Sequence, residues 1–265
     1  MNLLIGSRAL SHWFDDFKLK DNADWDVITD NHIEWAETSS PEFLNNGDFC
    51  KYASNEVIEH NGVNLTVINP IGLAIIKRSH LYRDLSFDKR ITHYHKHLKS
   101  FFIKNSDYDN RVRLTKEMFK QPHPKLNVPV EDFFDDYVVK KYNHDYLHEL
   151  VAYNNGIPLY KALQDDPSSA WCHKSYWDRF THTERIRCVA EEAMVIALER
   201  FIIPNNWDYI FSIAYHKAVV KICTTLCSGY FRDFAIDNYP EVLSILDKEK
   251  FLKVKQILKE KDNGY

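Results

Sequence analysis

The stretch "EVIEHNGVNLTVINPIGLAII", residues 56–76, constrains the fold more than any other. Apolar residues alternate on either side of Asn61-Gly62, the dipeptide best suited to a two-residue hairpin because both turn positions need positive φ. Pro70 closes the hairpin. It has no amide hydrogen for a strand ladder, but its fixed φ suits a first helical turn, so "IGLAIIKRSHLYRD" is predicted to be helical. Two upstream apolar runs, Leu3–Ile5 and Trp25–Ile28, supply further short strands, with "SHWFDDFKL" as an amphipathic helix between them. The first hundred residues therefore read as a small mixed-sheet α/β arrangement.

Beyond them the pattern turns helical. In "FDKRITHYHKHLKSFF" the residues Ile91, His95, Leu98 and Phe102 share one face. "DYDN" and "KQPHPKLNVP" are breaks, since Pro122, Pro124 and Pro129 cannot sit in a helix interior. Further helices are expected around residues 131–153, 183–203, 208–227 and 240–260. The expected fold class is α+β, with a mixed-sheet N-terminal domain over 1–105 and a mostly α-helical C-terminal domain over 106–265.

Apolar residues form 45% of the chain and glycine only 7 positions, which suits a packed globular protein. A formal charge of −4 gives no global pull toward nucleic acid or anionic membrane, so no stable nucleic-acid complex is expected and any phosphate-binding surface must be local. Five scattered cysteines without CxxC spacing suit a reducing compartment. Met1 leads straight into a strand and no apolar run approaches the roughly eighteen residues of a spanning helix, so neither leader nor anchor is expected. The expectation is a cytoplasmic protein.

Three groups of residues carry candidate chemistry. Asp24 and Asp26 lie two apart, so a strand would project both carboxylates from one face, where they repel unless a cation joins them. Gly6 would let backbone approach an anion, and Ser7 adds a hydroxyl and an amide. The alternative is solvent-facing acids on an edge strand beside an ordinary turn.

In "YNHDYLHELVAY", His144 and His148 are four apart and share a helical face, able to hold one metal ion or contact one phosphate. With Asp145 directly after His144, the stretch departs from the HExxH peptidase pattern and compares better with a His-Asp metal-dependent phosphohydrolase, whose other ligands could include His95, His123 or Asp208. A pair of hydrogen-bonded core histidines explains it equally well. The third group lies in "ERIRCVAEEAMVIALERFIIP", a helix apolar nearly all round, where Glu191 and Glu192 have few routes to water. At least one must meet Arg, Lys, His or a metal, as a bridge to Arg187 or Arg232 or as a general base. Arg232, after Gly229, is placed where a guanidinium could grip a phosphate.

The spacing of Gly6-Ser7 and Asp24-x-Asp26, followed by a hairpin and the helix "NPIGLAIIKRSHLYRD", resembles the nucleotidyltransferase superfamily over about the first hundred residues. The resemblance implies that Gly6 and Ser7 face nucleotide phosphates, that Asp24 and Asp26 hold magnesium or manganese, and that Lys77 assists. That family usually carries a third carboxylate on a later strand, where "VNLTVIN" offers Asn64 or Thr66 instead. The longer series "LLIGSRAL … DWDV … INPIGLAIIKRSHL … HYHKHL … YNHDYLHELVAY … AEEAMVIALERFIIP … SGYFRDFAIDNY" resembles a group of tailed-phage deoxynucleoside-5'-monophosphatase-like proteins. It implies a protein of the host cytoplasm.

The leading expectation is a divalent-metal-dependent phosphohydrolase releasing phosphate from deoxynucleoside 5'-monophosphates. The alternatives are a nucleotidyltransferase and a catalytically degenerate nucleotide-binding protein. Candidate catalytic residues are Asp24, Asp26, Glu191 and Glu192. Candidate substrate-binding residues are Gly6, Ser7, Arg8, Lys77 and Arg232, and candidate metal ligands are Asp24, Asp26, His144, Asp145 and His148.

Overall fold

A computed structural model describes residues 1–39, 48–81, 87–119, 144–153, 159, 174–205, 207–226 and 229–262. The fold is α+β: a five-stranded mixed sheet followed by a mostly helical region. Two compact units divide the chain, Met1–Phe134 and Asp135–Tyr265. The sequence puts the division near residue 105, but the helix Ser106–Phe119 packs on the helix Pro70–Ser79 and carries the first unit past that point.

The first unit is built on strands β1 (Leu3–Leu4), β2 (Asp26–Ile28), β3 (Glu37–Ser39), β4 (Ala53–His60) and β5 (Val63–Ile68), in the order β3-β2-β1-β5-β4. The β1 strand is central, antiparallel to β2 and parallel to β5, and its two leucines are fully buried. The expected hairpin forms: Asn61 and Gly62 have φ of 50° and 74°, and His60 pairs with Val63. Asn-Gly is favoured there because these residues enter the left-handed region at least cost.

Helix α1 (Gly6–Trp13) begins directly at the end of β1, where the sequence suggests a helix over "SHWFDDFKL". Residues 14–19 leave the helix: the Phe14 backbone is extended and its amide bonds back to Leu10. Helix α2 (Pro70–Ser79) starts where proline predicts, with the Asn69 side chain accepting the Gly72 amide at 2.9 Å. Such a cap is worth about 1 kcal/mol. Leu73, Ile75 and Ile76 are buried on α2, each contributing roughly 1.5–3 kcal/mol. Helix α3 (Phe87–His93) runs into a π turn at Tyr94–Leu98, and α4 (Ser106–Phe119) buries Tyr108, Arg111, Val112 and Thr115 along one stripe.

In the second unit come α5 (His144–Val151), the short α6 (Lys174–Trp177) and α7 (His182–Ala197). They are followed by α8 (Phe211–Lys221), α9 (Gly229–Asp237), α10 (Tyr239–Ser244) and α11 (Lys248–Asp262). The single helix expected over 240–260 is two, interrupted at 245–247. Helix α7 is the core of this unit, touching α5, α8, α9 and α10. Thr181 and Glu184 close a reciprocal capping box at its start. Residues 131–143 of the helix expected over 131–153 lie outside the described residues.

Candidate active site

A cavity of about 520 Å³ opens in the first unit at the C-terminal end of β1. Its acidic side is formed by Asp24, Asp26 and Glu37. Asp26 begins β2 and Glu37 begins β3, and the two are register partners in the parallel ladder, which puts them on the same face of adjacent strands. Glu37 brings a third carboxylate to this wall, from the side of β1 opposite β5. Asp24 precedes the strand and is exposed, as is Glu37, while Asp26 is partly buried.

Gly6 explains how Asp26 gets in. Its φ is +75°, and a Cβ added there would lie 1.7 Å from Asp26 Oδ2. Thus the bare glycine backbone accommodates this protein's own carboxylate, where the sequence suggests room for an incoming anion. Burial is the main cause that raises the Asp26 pKa, with Glu37 and Asp24 adding to it and Lys77 and Arg90 opposing it. Gly6 and Ser7 line the cavity from the first turn of α1, whose N-cap residue, Ile5, provides no capping side chain. Helix amides in that position are natural donors to anions.

The rest of the lining is largely basic, with Lys77 and His80 from the end of α2, Lys89, Arg90 and His93 from α3, and Arg111 from α4. Arg111 Nη2 stands 2.7 Å from His80 Nε2, and Arg90 Nη1 stands 3.3 Å from His80 Nδ1. Burial and the charges on Arg111, Arg90 and Lys77 hold the His80 pKa well below its ordinary value, so the ring is neutral at pH 7. Burial also lowers the His93 pKa, helped by Lys89 and His97.

Three hard oxygen donors of this kind suit magnesium or manganese better than a thiophilic metal. Among the described residues no three His, Cys, Asp or Glu side chains are already gathered closely enough to grip an ion. The donor chemistry fits, and so does the mutual repulsion at Asp26, which a cation would relieve.

The remaining candidates are not among the residues that line this cavity. Arg8 donates from Nε and Nη2 to the Ala23 carbonyl and stacks over Trp25 at 4.0 Å, tying α1 to the segment before β2. His148 is buried with Nε2 2.8 Å from Glu192 Oε2, so one of the two glutamates meets a histidine rather than Arg187 or Arg232. The side chains of His144 and Asp145 lie outside the described residues. Fully buried Glu191 accepts the amides of Tyr153 and Leu159 at 2.8 and 2.7 Å, satisfying backbone beyond the end of α5. Arg232 on α9 is buried with Nη2 3.4 Å from Asp233 Oδ1.

Sequence reasoning missed Glu37, His80, Lys89, Arg90, His93 and Arg111. One signal was readable, an arginine at helical spacing from Tyr108, Val112 and Thr115, which form a buried stripe. Such a residue needs a polar counterpart. "WAETSS" carried no strand signal for Glu37.

Among the described residues no helix is long and apolar enough to cross a membrane, and Cys50, Cys188 and Cys223 are free thiols. Residues 2–72 match a family model described as Domain of unknown function (DUF7277), and residues 72–257 match one described as Domain of unknown function (DUF7275). The acidic wall falls in the first stretch and the basic wall in the second, so the cavity is complete only with both. No curated protein and no solved structure matches the chain. With most of its length covered by the second of these models, the chain belongs to the DUF7275 family.

Proposed function

We propose that this protein is a divalent-metal-dependent enzyme of nucleotidyltransferase type, acting at the phosphate of a nucleotide in the cavity between β2, β3 and α2–α4. The observation that carries the reading is the pairing of Glu37 with Asp26 beside Gly6 and Ser7. It supplies the third acid that such chemistry uses and that the β5 strand lacks. Magnesium or manganese, held by Asp24, Asp26 and Glu37, would neutralise phosphate oxygens and favour in-line displacement.

The chain's own residues supply the rest. First-turn amides at Gly6 and Ser7 donate to phosphate oxygens, and Lys77 and Arg90 offset the charge that accumulates there. In nucleotidyl transfer the bond from the α-phosphorus to the pyrophosphate oxygen breaks. A bond to the acceptor oxygen forms, and the acceptor's proton passes to a carboxylate or to water. A volume of about 520 Å³ lies within the roughly 300–1,000 Å³ typical of small-molecule sites.

The hydrolytic reaction expected from the phage resemblance would use the same carboxylates with water as acceptor, releasing inorganic phosphate from a deoxynucleoside 5'-monophosphate. One screen separates the two: transfer of labelled nucleotide from each NTP and dNTP, beside phosphate release from each nucleoside monophosphate, with magnesium and with manganese. Incorporation that Asp26→Asn abolishes supports transfer, and phosphate release that Asp26→Asn abolishes moves the assignment to hydrolysis. Turnover undiminished in Asp26→Asn refutes the site.

A further inference from the structure

Arg111 is 1% exposed, and a guanidinium stays protonated at neutral pH. Burial lowers its pKa only to about 10. Among the described residues its Nε and Nη1 have no hydrogen-bond partner, and it forms no salt bridge to a carboxylate. A buried charge with neither counter-charge nor full hydrogen bonding is expensive. Yet the residue lines a cavity whose near wall also holds Lys77, Lys89 and Arg90.

Its partner among the described residues, His80, is informative. A neutral imidazole has a single bare nitrogen and a guanidinium can only donate, so only one of the two arginine contacts to His80 is a hydrogen bond. The 2.7 Å contact is the better formed, which makes His80 Nε2 the acceptor and Nδ1 the N–H. The 3.3 Å approach of Arg90 then brings two donors together and adds positive character to the same corner. Nothing in this arrangement neutralises Arg111. It only fixes the direction in which the guanidinium points.

We propose that Arg111 binds a phosphate oxyanion among the basic residues of the cavity, and that His80 is a positioning residue that presents a ring-nitrogen lone pair to hold Arg111 in place. The inference rests on the functional reading only for the identity of the natural ligand, a nucleotide bearing a phosphate beyond the reacting one. The anion site itself needs no metal and no turnover.

The test is calorimetric titration of the full-length protein, in chelator, with inorganic phosphate, pyrophosphate and tripolyphosphate. Wild-type protein should bind at least one of the three without a divalent ion, and stronger binding of the longer anions would assign the subsite to a phosphate chain rather than to free phosphate. Arg111→Gln should weaken binding about ten- to hundredfold, the value of a hydrogen bond to a charged group. Should Arg111→Gln fail to fold, Arg111→Lys keeps the charge and loses the fork, and should still weaken pyrophosphate binding.

His80→Gln retains an acceptor for Arg111 and should bind within about threefold of wild type, whereas His80→Leu should lose about tenfold. A merely structural histidine would not show that split between variants of equal melting temperature. Asp26→Asn should abolish turnover and leave anion binding intact, so failure of the catalytic reading is distinguishable from failure of this one. No binding of any of the three anions by wild-type protein overturns the proposal, as does wild-type affinity in a folded Arg111→Gln.

Discussion

Replacing Gly6 with alanine tests the geometry on which the acidic wall depends. Two costs add at this position. Alanine at φ +75° loses about 1–2 kcal/mol to left-handed backbone strain. The new methyl would also lie 1.7 Å from Asp26 Oδ2, 2.6 Å from Cγ and 2.9 Å from Cβ. Because Asp26 Cβ is itself too close, turning the carboxylate away does not relieve the contact and the β1–β2 backbone must shift, at about 1–3 kcal/mol by comparison with overpacked cores.

Gly62→Ala is the natural control, with φ +74° but nothing within 4 Å of its added Cβ, so it bears the backbone cost alone. Urea unfolding of both variants, followed by circular dichroism, should show Gly6→Ala less stable than Gly62→Ala by about 1–3 kcal/mol. That is a large fraction of the roughly 5–15 kcal/mol typical of a folded domain. Turnover should fall only in Gly6→Ala, since only there is Asp26 displaced. Equal losses of stability in the two glycine variants, with turnover unchanged, would refute the placement of Asp26 over Gly6.

Two further outcomes follow from buried carboxylates. Asp26 binds its proton more tightly when folded than the ordinary value of 3.8 implies, so ionising it destabilises the fold, and that penalty grows as pH rises through 3.8 toward the folded pKa. In chelator, Asp26→Asn should therefore be more stable than wild type at pH 7, with the gap narrowing on acidification; a pH-independent gap in melting temperature would contradict this. Glu191→Ala strands the Tyr153 and Leu159 amides, and should cost about 2–4 kcal/mol in denaturant unfolding. A loss below about 1 kcal/mol would mean that those amides find another acceptor.

The elements legible in the sequence are those set by neighbours along the chain. Asn61-Gly62 fixed a turn because few other residues tolerate its φ values, and Pro70 behind Asn69 marked a helix start because one removes a donor and the other caps. Helix α1 was misplaced for a related reason. The string "SHWFDDFKL" has helical periodicity, but the left-handed φ of Gly6 turns the chain into a helix as soon as β1 ends. The division near residue 105 failed to register that α4 carries an apolar stripe matching α2.

By itself, the sequence determined an α+β chain with a hairpin at Asn61-Gly62, a helix start at Pro70, and a glutamate-bearing, largely apolar helix in its second half. Only the tertiary structure decided that Glu37 stands beside Asp26, that Glu191 serves backbone amides, and that His80 and Arg111 meet in the lining of the cavity. The physical reason is range. Turns, caps and periodicity act over a few residues, whereas the walls of this cavity join positions 6, 26, 37, 80 and 111 through strand pairing and helix packing, and such contacts leave no local pattern in any one segment.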